Sequence, residues 1–315
     1  MATTIISALL PIVITLLFGF FAGWHHDFDR KQAAVLNRMV MLYALPLVLF
    51  AGMVGTPRSE IIAQVPLALA ILLGMVVPYA IAFVIAHYLF RRDLMTASLE
   101  AITIGGPAVP FVGIPVLGQL FGEAASAVPI AIAGLVMNLI QVPATLMLLS
   151  AGMAARNAAA GGRPPPLMSH VRHALREPVV WGPILALILI LGGVHFPKLL
   201  QDSFFLLGRA TGGVALFASG IVLYSYRVKF DLPVGVSVLA RNIVVPAVIW
   251  AVVSLAGFTP HMMRESVLTL AIPTAAIATI LAVQYQAAEQ EMASTLFFST
   301  IFSIITMGGF IWLTG

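Results

Sequence analysis

The chain has 315 residues, of which 61% are hydrophobic and only 9% charged, and its net charge is +4. A soluble domain carries about 25% charged residues to wet its surface, so lipid must be the solvent for most of this chain. Cysteine is absent, which excludes disulfides, thiolate metal sites and cysteine nucleophiles.

A membrane-spanning helix needs about 20 mostly apolar residues. Ten such stretches are predicted, at 4–24, 33–55, 65–90, 94–118, 124–150, 179–195, 203–226, 234–258, 266–286 and 292–314. None alternates apolar and polar residues with period two, as barrel strands do, so the predicted class is an all-α membrane protein. Little length is left for a large soluble domain. The first span is followed by His25-His26-Asp27 without a small-residue cleavage pattern and reads as a retained helix.

Span four is the most irregular: Gly105-Gly106-Pro107-Ala108 is followed by Pro110, Gly113 and Pro115. Each proline removes a backbone donor and clashes with the preceding turn, so the helix is expected to break near Pro107. Glu100 lies about two turns earlier. An ionisable group inside a membrane is a functional candidate by default, here for proton coupling; the plainer reading is a hydrated carboxylate paired with Arg92. In span five, Asn138 and Gln141 share a helix face and read as substrate contacts or as amides bonding across helices.

The longest polar interruption, 154–177, holds Arg156, Arg163, Pro164-Pro165-Pro166, Arg172 and Arg176. A proline triplet among charges cannot continue a helix, so this is a linker between segments 1–153 and 178–315. Arg209 in span seven, followed by Thr211-Gly212-Gly213, reads as an anion contact or as a side chain snorkelling to the headgroups. Span nine contains Ala271-Ile272-Pro273-Thr274, a milder break than that of span four.

The two segments match in register. Pro11-Ile12-Val13 recurs as Pro178-Val179-Val180, Leu49-Phe50-Ala51 as Leu216-Phe217-Ala218, Val76-Val77-Pro78 as Val244-Val245-Pro246, and Pro107 as Pro273. Each segment has an odd number of spans, five, so the second copy enters the membrane from the opposite side. Inverted repeats of this kind are common in secondary transporters. Their substrate site lies near the bilayer midplane, between discontinuous helices whose half-helix N-termini face anionic groups. The predicted substrate site is therefore Gly105, Gly106, Pro107, Ala108, Pro273 and Thr274, with Asn138, Gln141 and Arg209 as further contacts and Glu100 as the coupling group.

Orientation follows from the basic residues. With the N-terminus outside, cytoplasmic loops and span ends hold Arg30, Lys31, Arg38, Arg91, Arg92, Arg156, Arg163, Arg172, Arg176, Arg227, Lys229 and Arg241, against Arg58, Lys198, Arg209 and Arg264 on the other face. Both termini are then outside and the linker cytoplasmic. The last cytoplasmic turn runs against this pattern, because it carries Glu289 and Glu291 and no basic residue.

The chain resembles the auxin efflux carrier family, in particular its bacterial malonate-transporter type. The residues that carry the resemblance are Leu45-Pro46-Leu47-Val48-Leu49-Phe50, the stretch Pro107 to Pro115 ending in Gly113-Ile114-Pro115, Ala271-Ile272-Pro273, and Ser299-Thr300 with Ser303. The resemblance covers essentially the whole chain. It implies ten helices similar in fold to sodium–bile acid symporters, with helices four and nine broken and crossing in a core domain. It further implies a scaffold of helices one, two, six and seven, and an elevator-like motion between the two parts. Plant members carry an asparagine after the first crossover proline; here that residue is Ala108, so a side-chain contact to the carboxylate is lost there.

No His-Glu-x-x-His zinc motif, Gly-x-Ser-x-Gly elbow or phosphate-loop lysine is present. An enzyme, a cofactor, a nucleic-acid partner and primary active transport are not expected. The reading is a secondary transporter of a small organic anion, most specifically a dicarboxylate such as malonate by resemblance, with a proton or sodium as coupling ion and room for a homodimer. A membrane-embedded sensor or structural subunit reusing the fold, or an anion channel, are the other readings the sequence leaves open.

Overall fold

The computed structural model describes residues 2–54, 65–159, 178–194, 196–226 and 228–315. The proline triplet, Arg163, Arg172 and Arg176 of the expected linker lie outside the described residues, as do Arg58 and Arg227. The described chain is helical: α1 (Ala2–Trp24), α2 (Arg30–Met39), α3 (Leu45–Val54), α4 (Val65–Val84), α5 (Leu94–Gly105), α6 (Ile114–Phe121), α7 (Glu123–Val136) and α8 (Val142–Ala159). From residue 178 on come α9 (Pro178–Leu191), α10 (Lys198–Gly208), α11 (Ala210–Tyr226), α12 (Leu232–Leu239), α13 (Val245–Leu255), α14 (Pro260–Leu270), α15 (Ile277–Tyr285) and α16 (Glu289–Thr314).

Among the described residues, six helices are long and apolar enough to cross a membrane: Arg30–Gly52, Val65–Leu89, Ile132–Arg156, Lys198–Ser225, Leu232–Leu255 and Glu289–Thr314. Large apolar side chains face outward along them and their neighbours: Leu255 is 90% exposed and Leu206 83%. The interior, by contrast, holds Arg241, Glu265, Asn242, Ser299 and Ser303. A water-soluble protein cannot display apolar surface on this scale, and in lipid the arrangement is natural. The chain is a multi-pass membrane protein.

Prolines shape several of these helices in a consistent way. Wide turns occupy Val40–Ala44, Met137–Gln141 and Ala240–Val244, just ahead of Pro46, Pro143 and Pro246. A helical proline clashes with the carbonyl four residues back. In each case that residue (Leu42, Leu139 or Asn242) lies inside the widened turn, where the clash is relieved. Two of these turns carry the buried polar residues Asn138, Gln141, Arg241 and Asn242. Side-chain caps mark helix starts at Asp29, Asp93, Asp231 and Thr259, each accepting from the backbone of the first turn.

Helices α1 and α11 meet along a glycine seam. A Cβ on Gly19 would lie 1.9 Å from the Phe217 carbonyl oxygen, and one on Gly220 would lie 2.1 Å from that of Leu16. Small residues let backbones approach in lipid, where dispersion between helices replaces the hydrophobic drive. Behind them, α3 packs on α9 and α10, with Phe50, Phe196 and Phe204 forming an aromatic cluster.

Candidate functional site: the crossing of two broken helices

α5 stops at Gly105 for a local reason. Gly106 precedes a proline, which disfavours the helical region, and it adopts φ −106°, ψ 106°. The extended backbone then pairs, antiparallel, with the break between α14 and α15: Pro107 faces Thr274. Ala108 N donates to Pro273 O at 2.8 Å, and Ala275 N donates to Gly106 O at 3.0 Å. Neither proline is asked for a donor, so both breaks fit this register. Pro107 and Pro273 thus lie in adjoining backbone although 166 residues separate them. Glycine is needed for the approach: a Cβ on Gly105 would sit 2.7 Å from Tyr79 Cβ, and one on Gly106 would sit 2.6 Å from Ile102 O.

Unwound backbone in a membrane must find partners within the protein, and here it does. Arg241 is fully buried. It donates from Nε and Nη2 to Ile272 O (3.0 and 2.7 Å), from Nη2 to Leu270 O (2.8 Å), and from Nη1 to Ile104 O (3.0 Å). The same guanidinium therefore satisfies the C-terminal ends of both α5 and α14. Thr274 Oγ1 donates to Thr103 O at 2.8 Å. Its backbone N donates to Ser299 Oγ at 3.1 Å, and Ser299 Oγ in turn donates to Asn242 Oδ1 at 2.7 Å. Gln141 Nε2 donates to Gly105 O and Met75 O, both at 3.0 Å, strapping the first break to α4.

These contacts place the residues expected from sequence. Gly105, Gly106, Pro107, Ala108, Pro273 and Thr274 come together at the crossing, with Gln141 beside them. The amides of Ala108 and Thr274, which follow the two prolines, are engaged by Pro273 O and Ser299 Oγ. Asn138 is buried and turns its Nδ2 back to Gly134 O of its own helix, 2.7 Å away. Arg209 is exposed at the α10–α11 junction, its guanidinium carbon 5.7 Å from the Phe205 ring centre; none of its described contacts reaches the crossing.

Arg241 corrects the sequence reading. Counted there among cytoplasmic basic residues, it is instead buried against backbone carbonyls, because three helix-break carbonyls offer it more than a headgroup would. Without it, the count that sets the expected orientation becomes eleven against four. The signal that could have found it is Pro246 five residues later, which predicts a widened, inward-facing turn. Asn37 was missed too: it is buried on α2, and neither of its side-chain polar atoms has a hydrogen-bond partner among the described residues.

Glu100 lies away from the crossing, in a charged layer near the start of α16. Arg92 Nε is 3.0 Å from Glu100 Oε1, and Arg92 Nη2 is 3.1 Å from Glu291 Oε2. Arg92 thus bridges the two carboxylates. Glu289 pairs with Arg30. The acidic turn that ran against the basic-residue pattern therefore finds its counter-charges on α2 and ahead of α5. Arg92 and Glu100 line a cavity of about 710 Å³ between α4 and α12–α13, together with apolar side chains such as Val77, Ile81, Val248 and Val252.

The comparisons with known proteins agree with this architecture. The profile of a family described as membrane transport protein matches residues 4–311. The chain is 30% identical over 307 residues to the uncharacterized transporter YfdV of Escherichia coli (strain K12), covering 97% of this chain and 96% of that one. It is 23% identical to the uncharacterized transporter MJ1031 of Methanocaldococcus jannaschii, covering 98% of both chains. A match of this extent, on a lipid-facing helical fold, makes the chain a member of the membrane transport protein family to which the auxin efflux carriers belong.

Proposed function

We propose that this protein is a secondary carrier of a small organic anion, a dicarboxylate such as malonate, working by alternating access. The observation that carries the reading is the backbone-paired crossing of two helices broken at Pro107 and Pro273 inside a lipid-facing fold. The six long helices, with α1, α9 and the broken pairs α5–α6 and α14–α15, account for ten spans. An inverted repeat is supported by the caps Asp93 and Thr259, which stand 166 residues apart, the same offset as Pro107 and Pro273. Core and scaffold then move as in an elevator, both termini are periplasmic, and the membrane is the bacterial inner one.

In this reading the substrate carboxylate meets the N-terminal ends of the segments that leave the crossing, beginning at Val109 and at Ile277, where partial positive charge collects. Gly105, Gly106, Pro107, Ala108, Pro273 and Thr274 set the backbone path, and Gln141 holds it. Asn37, buried on α2 with no hydrogen-bond partner among the described residues, stands on the scaffold side in this reading, and α2 packs against α15; it is the added contact. Glu100, beside Arg92, is the coupling group. Arg209 and Asn138 are left as peripheral contributors, since their contacts are local.

The test is counterflow in proteoliposomes with a panel of mono- and dicarboxylates. A carrier exchanges labelled for unlabelled dicarboxylate with saturation. Flux without saturable exchange would make the protein a channel, and no flux across the whole panel would make it a sensor or structural subunit.

A further inference from the structure

We infer that Arg241 is the built-in cation of the crossing: it occupies the carbonyl cluster that a coupling sodium ion would otherwise take, so that no sodium binds there. Discontinuous helices in transporters use unwound carbonyls and half-helix C-termini to hold Na⁺, and hard cations take oxygen-only donor sets. Here the carbonyls of Ile104, Leu270 and Ile272 converge in the same way, and all lie within 3.0 Å of one guanidinium. The charge balance fits. Two helix C-termini, those of α5 and α14, end at this point, and each carries about half a negative charge. One arginine neutralises both.

The group is a fixed cation. Arginine is not deprotonated in proteins, and among the described residues no carboxylate lies within ion-pair distance of Arg241. Its partners are backbone, and it is fully buried. Burying an unpaired charge is strongly unfavourable, so the carbonyl cluster and the guanidinium each require the other. Of the coupling ions compatible with the proposed transport, sodium at the crossing is thereby excluded.

The experiment has a thermal arm that needs no substrate and a transport arm that rests on the carrier reading. In the thermal arm, the melting temperature of the purified protein is compared in NaCl and choline chloride of equal ionic strength. The wild type is expected to melt at the same temperature in both. Arg241→Ala is expected to melt lower and to regain stability with millimolar guanidinium, and to a smaller extent with sodium, while the wild type gains nothing. At ten times its dissociation constant, a rescuing cation raises the folded-to-unfolded ratio about elevenfold. A sodium-specific shift in the wild type would overturn the inference, as would an Arg241→Ala variant that responds to guanidinium and sodium no more than the wild type does. Should the alanine variant fail to fold, the wild-type comparison still decides, and Arg241→Lys, which keeps the charge, is expected to fold without sodium dependence. In the transport arm, uptake is expected to be equal with sodium or choline outside. Sodium-stimulated uptake would overturn this inference and leave the carrier reading standing. A protein that transports nothing but passes the thermal arm would do the reverse.

Discussion

The two breaks at the crossing reach the same backbone geometry by different chemistry. The first is made by absence of side chain: Gly105 and Gly106 clear space for Tyr79 and for the chain's own carbonyls, and Gln141, Arg241 and Thr274 then strap the end of α5. The second has no glycine. Ala271, Ile272 and Thr274 are ordinary residues, and the order comes from Arg241, Asn242 and Ser299 reaching in from α16 and the widened turn before α13. A break can thus be specified by emptiness or by partners. The first kind is visible in a local stretch of sequence, and the second is distributed over segments far apart in the chain.

The contrast predicts unequal sensitivity to substitution. The largest effect is expected at Arg241, which holds two carbonyls of the second break and one of the first: Arg241→Met keeps bulk but leaves all three without that donor, and should lower stability by about 3–5 kcal/mol. Thermal unfolding in detergent, in choline chloride, measures this; a loss no larger than that of Gln141→Leu would mean that the two breaks are held alike.

Gly105→Ala tests the first break. The new methyl meets Tyr79 Cβ and Met75 O, at 2.7 and 3.0 Å, and overpacking against backbone should lower stability by about 1–3 kcal/mol. At the second break the residue two before the proline is already Ala271, which is fully buried, so Ala271→Gly should cost only a modest amount, about 1 kcal/mol from lost packing and added chain entropy. Equal losses at the two positions would remove the distinction drawn here.

Binding offers a finer comparison. Pro107→Ala and Pro273→Ala should both insert normally, because alanine is a good helix former and the apolar length is unchanged. Substrate affinity should fall by about 1–3 kcal/mol in each through the altered half-helix ends. Because the breaks share one bridge, the double variant should lose less than the sum of the two, measurable as a coupling energy by equilibrium binding. Strict additivity would show that the breaks act separately.

Two smaller effects bound the site. Glu100→Gln should remove the pH gradient's drive on uptake while leaving counterflow near the wild-type rate, since exchange moves no net proton. Unchanged pH dependence would return Glu100 to a partner of Arg92 only. Arg209→Ala should change stability by no more than about 0.5 kcal/mol, as for other exposed positions, and leave substrate affinity unaltered; a tenfold loss of affinity would bring Arg209 back into the site.

What the amino-acid sequence determined by itself was whatever rests on composition and local backbone chemistry. Too few charges for a water-wetted surface meant lipid, and the apolar stretches marked the helices. The Gly-Gly-Pro of 105–107 and the lone Pro273 located both breaks, because glycine and proline act through their own φ, ψ and missing donor wherever they stand. What only the tertiary structure decided was which groups answer those breaks. Arg241 looked like one more basic residue at a span end, Ser299 entered only through the family resemblance, and Asn242 drew no attention. Their meaning depends on three segments meeting, so no local pattern contains it. The amides of Ala108 and Thr274 show the same limit from the other side: the sequence reveals that a proline frees backbone groups, but not that the opposite break has already claimed the first amide and Ser299 the second.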